Sequence, residues 1–599
     1  MPFGAECRDD GTVRFRLWAP AAQSVALHVN GRGLPVPTVG EGWFEVVTEA
    51  RPGNQYKFKI NNEQGVPDPA SRFQPSGVHG PSEVIDPCAF EWINGNWRGR
   101  PWEEAVVYEL HLGTFSPEGT FSGAQKKFDY LADLGVTAVE VMPISSFPGD
   151  RNWGYDGVLP FAPARAYGRP EDFKGFVDTA HSKGLMVFLD VVYNHFGPEG
   201  NYLWLYAPQF FTDRHHTPWG AAINFDGACS RTVRDYFIHN ALYWLEEYKL
   251  DGLRFDAVHA IKDDSKSDVL TELSDTVRRR FGDERHIHLI LENDHNAAHF
   301  LRREAEKPRW YTAQWNDDVH HAAHVLVTGE SDGYYSDYSK NPAWHLGRCL
   351  TEGFSYQGDA SEYRGGQKRG EPSRDLPPDC FVSFLQNHDQ IGNRAFGERI
   401  LNLADAKKVR AAVATLLLAP SPPLLFMGEE FGTATPFLFF CDFGPDLAPK
   451  VTEGRRAEFA RFSQFTSAAA QAKIPDPNTK ETFLNSKLDW ASVDTPSHIQ
   501  WLQFYRELLA LRHKEIVPRI KEIVPGKASF RLLGREALSA TWIFKSGGSL
   551  ELIANFGRDA IELQKAPQGR LLYTTQDGLT AALDQKKVPP ISVGWFFKA

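Results

Sequence analysis

The sequence predicts an α/β chain: a parallel (β/α)8 barrel of the TIM type with a β-sandwich before it and another after it. Three observations carry that prediction. A chain of 599 residues is too long for one hydrophobic core, so two to four domains are expected, one of them able to hold a barrel of about 250 residues or more. Four short β-prone runs end in acids, at Asp190, Asp256, Glu292 and Asp389. A parallel barrel delivers polar groups to its carboxyl-end face in this way, so four such ends imply one shared acidic site. Third, strand-like runs alternate with amphipathic stretches from residue 105 to about 512.

Residues 1–90 read as antiparallel β, because Thr12-Val13-Arg14-Phe15-Arg16-Leu17-Trp18 alternates polar and apolar residues and runs near 24–29, 42–47 and 56–60 repeat the pattern. An immunoglobulin-like β-sandwich is the expected product. The stretch 66–87, rich in Pro, Ser and Gly, is expected to cross a surface as an ordered linker. Eight barrel strands are expected at 105–111, 138–143, 186–192, 252–257, 288–293, 309–315, 380–387 and 423–428. Apolar residues at three- and four-residue spacings predict helices over 232–249 and 501–512. The tail returns to β at 537–544, 550–554 and 591–597, the first two runs joined by a Ser-Gly-Gly-Ser turn. The expected domains are 1–90, 91–520 and 521–599.

Composition removes several function classes. A net charge of −11 opposes broad binding to a phosphate backbone, so no nucleic-acid partner is expected. No apolar run approaches 18 residues and the first residues lack a basic, apolar leader, so a cytoplasmic protein with no membrane partner is expected. Six scattered cysteines show no CxxC spacing and no EF-hand pattern occurs, which argues for reduced thiols, no metal and no cofactor. The 16 Trp, 19 Tyr and 42 Phe suit both core packing and contact with the apolar faces of sugars.

Two carboxyl groups can hydrolyse a glycosidic bond with retention, one attacking the anomeric carbon while the other protonates the leaving oxygen. Asp256 and Glu292, at the tips of consecutive strands, are the best pair. Arg254 lies two residues from Asp256 on the same strand face and can orient it. Glu292 needs burial or nearby negative charge to keep its proton. Asp389 is a third acid that can raise that pKa and grip hydroxyls. Any one of these acids could equally cap a strand end or form a salt bridge; together they point to a site. His195 and His388 adjoin acidic runs, and Trp153 and Tyr155, either side of Gly154, suit a sugar-stacking platform.

These residues carry a resemblance. The runs 190–195, 252–257, Glu292 and 384–389 resemble the four ordered motifs of the α-amylase superfamily of glycoside hydrolases. The resemblance covers about 100–512 and implies α-glucan chemistry on a (β/α)8 barrel, with no cofactor. It implies Asp256 as nucleophile, Glu292 as general acid/base and Asp389 as a stabiliser binding hydroxyls. It also implies that His195, His388 and Tyr155 contact the reacting sugar, that Arg254 orients Asp256, and that Asp190 and Asn194 support them. Phe255 stands where many relatives have Leu. The module at 13–20 resembles those of branching enzymes, isoamylases and maltooligosyltrehalose trehalohydrolases, and the runs 291–294, 314–321 and 333–338 resemble the last of these. That implies maltooligosyltrehalose and α-glucan oligosaccharides as partners. It makes Asp317, Asp318, His320 and His321 candidates for sugar contact, although Val319, Ala322, Ala323 and Leu326 also have the spacing of an ordinary barrel helix. The alternatives are a 1,4-α-glucan branching enzyme and a non-catalytic α-glucan-binding protein; the latter should lack one of the acids.

Overall fold

Successive residues of a strand face opposite sides, so eight short parallel runs can fill a barrel with one set of side chains and meet helices with the other. The computed structural model, which describes residues 1–460 and 465–599, follows this plan. The strands are β1 (Val107–Leu110), β2 (Ala138–Val141), β3 (Met186–Val191), β4 (Gly252–Phe255), β5 (His288–Leu291), β6 (Ala313–Trp315), β7 (Phe381–Val382) and β8 (Leu424–Phe426). They pair in parallel in sequence order from β1 to β7, β8 pairs with β1, and a parallel bridge between Ser383 and Pro423 closes the ring. All eight expected strands are present, each shorter than its apolar run.

Val107, Ala138, Phe188, Ile290, Trp315 and Leu424 form a buried plug inside the barrel. Their neighbours Tyr108, Val139, Leu189, Leu253 and Leu291 belong to the separate core shared with the helices. Continuing the inward alternation past the plug gives Glu109, Glu140, Asp190 and Arg254, all buried. A polar layer therefore sits on an apolar floor at the carboxyl end. The helix expected at 232–249 runs over Ser230–Glu247, and that expected at 501–512 over Pro496–Leu511, where Pro496 occupies the first turn, a position that needs no backbone donor.

The amino-terminal sheets place Thr12–Trp18 between Gly4–Cys7 and Trp43–Glu49, and Val25–Val29 between Arg32–Val36 and Gln55–Ile60. The sheets meet through side chains such as Phe15 and Tyr56, whose ring centroids are 4.8 Å apart. The stretch 66–87 is not the surface linker that its composition suggested. Asp68, Ser71, Arg72 and Gln74 are buried, Ser82–Glu83 adds to the sheet beside Gln55–Ile60, and Arg72 bonds Glu247 of a barrel helix at 3.2 Å. Its small and polar residues fit a crowded seam, where Tyr236 also donates to the Pro69 carbonyl at 2.6 Å.

A five-stranded sheet of Ser529–Gly534, Ala537–Ile543, Ser549–Asn555, Ser592–Lys598 and Arg570–Thr574 ends the chain. Trp542 and Trp595 stack at 5.5 Å and donate to the carbonyls of Leu350 and Ala414 on two barrel helices. Gly347, on the helix Pro342–Glu352, lets Phe530 approach so closely that a Cβ there would lie 2.3 Å from its ring. Among the described residues, no helix is long and apolar enough to cross a membrane.

Candidate active site

The carboxyl ends of β4 and β5 bring the two expected acids onto one guanidinium. Arg254, fully buried, donates from Nη1 to Asp256 Oδ1 at 3.0 Å and to Asp190 Oδ2 at 2.6 Å, and from Nη2 to Glu292 Oε2 at 2.8 Å. Its planar fork suits such multiple pairing, and the Trp315 ring lies 4.1 Å beneath it. Asn194 donates to Asp256 Oδ2 at 2.8 Å. Ala257 adopts a left-handed φ of 40°, uncommon for a residue with a Cβ. Its N–H thereby reaches Glu292 Oε2 at 2.8 Å. Burial pushes the Glu292 carboxyl well above the usual range; Arg254 opposes this, while Asp256, Asp389 and Asp317 reinforce it. Burial and these three acids thus favour the protonated form of Glu292 beside Asp256.

A second arm runs from β1. Burial would lower the His388 pKa, but Asp389 and Glu109 raise it to about 9, so the ring is charged at neutral pH. Its Nδ1 donates to Glu109 Oε1 at 2.5 Å and its Nε2 to the Tyr155 hydroxyl at 2.8 Å; that hydroxyl donates in turn to Asp190 Oδ2 at 2.7 Å. Burial, opposed by Arg254, brings Asp190 up to about 6. The chain Glu109–His388–Tyr155–Asp190–Arg254 therefore links the barrel interior to both catalytic candidates. Asp389 lies 3.4 Å from His388 Nε2 with its side chain 39 % exposed, so its oxygens are open to a ligand.

This chain belongs with known proteins on three counts. Residues 58–207 match the alpha amylase catalytic domain, 2–89 match carbohydrate-binding module 48 (isoamylase N-terminal domain), and 525–595 match a domain of unknown function, DUF3459. A malto-oligosyltrehalose trehalohydrolase from Deinococcus radiodurans is 43 % identical over 506 residues, covering 84 % of this chain and 82 % of its own. One from Saccharolobus solfataricus is 39 % identical over 590 residues, 98 % of both chains. The chain belongs to the malto-oligosyltrehalose trehalohydrolase family. A crystal structure from Salmonella typhimurium, named as an alpha amylase, superposes with a TM-score of 0.95 at 45 % identity over 100 % of this chain and 99 % of its own. The pullulanase of Paenibacillus barengoltzii, at 19 % identity and a TM-score of 0.72, shares the fold.

Within this site, the remaining expected residues divide. His195 joins the site: its Nε2 meets the Tyr155 carbonyl at 3.0 Å, its Nδ1 meets Asn194, and Trp219, half exposed, stacks on it at 4.6 Å. Trp153 does not offer a platform. It is 5 % exposed, stacks on Phe437 at 5.2 Å and donates to the Leu438 carbonyl, so the pocket wall takes its faces. Tyr155, half-buried, keeps the stacking candidacy alone.

The run after β6 folds as the helix Asp317–Thr328, as the spacing of its apolar residues suggested. Asp317 sits near Glu292, and burial, with Asp294, raises it to about 7. Asp318 and His320 are not sugar contacts. Asp318 is buried against Arg369, Tyr338 and the backbone of Ser355 and Tyr356, while His320 bridges the Leu385 carbonyl and the Tyr335 hydroxyl. A single helical turn thus carries both a residue of the pocket, Asp317, and residues of its support, Asp318 and His320. His321, half-buried against Tyr334 at 4.8 Å, lies between these cases. Sequence reasoning missed Glu109, Ala257 and Trp219. Glu109 was findable, since inward parity in the first strand run makes it a carboxylate inside the barrel; the strain at Ala257 and the hairpin carrying Trp219 left no local signal.

Proposed function

We propose that this enzyme hydrolyses the α-1,4-glucosidic bond next to the terminal trehalosyl unit of maltooligosyltrehalose, releasing trehalose and a shortened maltooligosaccharide. The observation that carries the chemistry is the shared guanidinium: Asp256 and a proton-bearing Glu292 are both held by Arg254. Asp256 attacks the anomeric carbon as Glu292 gives its proton to the departing oxygen, so trehalose leaves neutral and a glucosyl ester forms. Glu292, now a carboxylate, takes a proton from water; the hydroxide oxygen bonds the anomeric carbon, the ester to Asp256 breaks, and the configuration is retained. Asp389 and the charged His388 bind hydroxyls of the reacting sugar, and the Tyr155 ring packs on its apolar face.

The trehalosyl preference is supported by the family resemblance of the runs 291–294, 314–321 and 333–338, and by a cavity of about 230 Å³ that reaches Gln390, beside Asp389, with Tyr334 and Tyr363 on its rim. Trehalose is bent and non-reducing, and a pocket of aromatic and polar side chains can suit it better than it suits maltose. The setting we propose is cytoplasmic, where six free thiols stay reduced. Incubation with maltotriosyltrehalose, followed by chromatography, should give free trehalose as the main disaccharide. Formation of α-1,6 branches from amylose would replace this reading with that of a branching enzyme.

A further inference from the structure

The polar layer of the barrel contains a carboxyl group that the reaction above does not use. Glu140, on β2, is 1 % exposed, and neither of its oxygens has a hydrogen-bond partner among the described residues. It is the register partner of Glu109 across the β1–β2 pair, so the two side chains enter the barrel side by side. The charged groups facing it are Glu109 on β1, Asp190 on β3, Arg254 on β4 and His388 after β7.

The cations of this layer are already engaged. His388 Nδ1 and the His388 backbone N–H both serve Glu109, at 2.5 and 3.1 Å. Arg254 serves Asp190, Asp256 and Glu292. A charged Glu140 would be a buried carboxylate without a counter-ion, beside two others, and such a group takes a proton instead. Burial and Glu109 both push it that way. Two further polar atoms of the layer, Asp190 Oδ1 and Arg254 Nε, also have no partner among the described residues. Buried polar groups in native proteins are nearly always bonded to protein or water, and a buried water makes about three such bonds.

We propose that Glu140 is a positioning residue of this active site: a neutral carboxylic acid that, through buried water, braces Glu109 and Asp190. Its acid O–H supplies a donor where its neighbours offer acceptors. Its neutrality leaves Arg254 free to hold Asp256 and Glu292. The proposal rests on the assignment of those two acids as the catalytic pair, but its test does not depend wholly on that assignment.

Three measurements test it. Glu140→Gln, equal in shape and neutral, should keep kcat/KM on maltotriosyltrehalose within about threefold and leave both limbs of the pH profile in place. Glu140→Leu, similar in volume but without polar atoms, should lower kcat roughly 10- to 100-fold, as misplacement of a catalytic group does, with little change in KM. The infrared difference between ligand-free wild type and Glu140→Gln at pH 8 should contain the carbonyl stretch of a protonated carboxylic acid. A Gln variant as impaired as the Leu variant, an unimpaired Leu variant, or a difference spectrum without that band would overturn the proposal. The spectrum reads the Glu140 proton whether or not Glu292 is the acid, so the two assignments fail separately.

Discussion

At the scale of single residues, the proposed hydrolysis turns on the proton of Glu292. A general acid contributes about 10²- to 10⁴-fold, so Glu292→Gln should lower kcat by that range on glucan substrates, and by much less on a substrate whose leaving group needs no proton. The acid works only while protonated, so the basic limb of the pH profile reports its pKa. Asp317, which titrates at about 7, is one of the charges that keeps the proton on Glu292. Asp317→Asn removes that charge, and the basic limb of kcat/KM should move to lower pH; an unmoved or raised limb would contradict the electrostatic assignment. Tyr155 was expected from its sequence context to act through its ring, which would make Phe a mild replacement. Its hydroxyl bridges charged His388 and Asp190. At about 1.5 to 3 kcal/mol for a hydrogen bond to a charged group, Tyr155→Phe should cost roughly 10- to 100-fold in kcat/KM, and a near-normal Phe variant would return the role to the ring alone.

At the scale of elements, one helix shows how catalysis and stability are divided. In Asp317–Thr328, Asp317 lies near Glu292, while Asp318 ties the helix to the Ser355–Arg369 region. Asp318→Asn should therefore destabilise the fold by about 1.5 to 3 kcal/mol, because it takes one of two carboxylates from buried Arg369 and leaves it Asp294 at 3.3 Å, read as a lower denaturant midpoint with KM nearly unchanged. Burial would raise Asp318, but Arg369 and the Tyr338 hydroxyl hold it at about 2, so its stabilisation is full above the ordinary carboxylate range and is lost as pH falls toward 2. The eight strands and the acids at their tips were legible because alternation and chain order act locally. The burial of Trp153 and the split between Asp317 and Asp318 were not, because the packing of a loop against distant Phe437 or Arg369 leaves no periodicity in the chain. The seam at 66–87 misled for a related reason: Pro, Ser and Gly mark irregular backbone, whether it lies on a surface or between two domains.

At the scale of the whole molecule, the two flanking β-units support the barrel from opposite ends of the chain, through Arg72 and Glu247 on one side and through Trp542, Trp595 and Phe530 on the other. Neither contributes a residue to the Arg254 network, which is built from strand ends and loops of the barrel. If the acceptor side fits trehalose in a shape that maltose cannot copy, the difference appears in kcat/KM, where discrimination between substrates is expressed. The most direct measurement is therefore the ratio of kcat/KM for maltotriosyltrehalose to that for maltopentaose, a plain chain of equal length. Loss of one or two well-placed hydrogen bonds predicts a ratio of roughly 10 to 1,000 in favour of the trehalosyl substrate; a ratio near one would contradict the account.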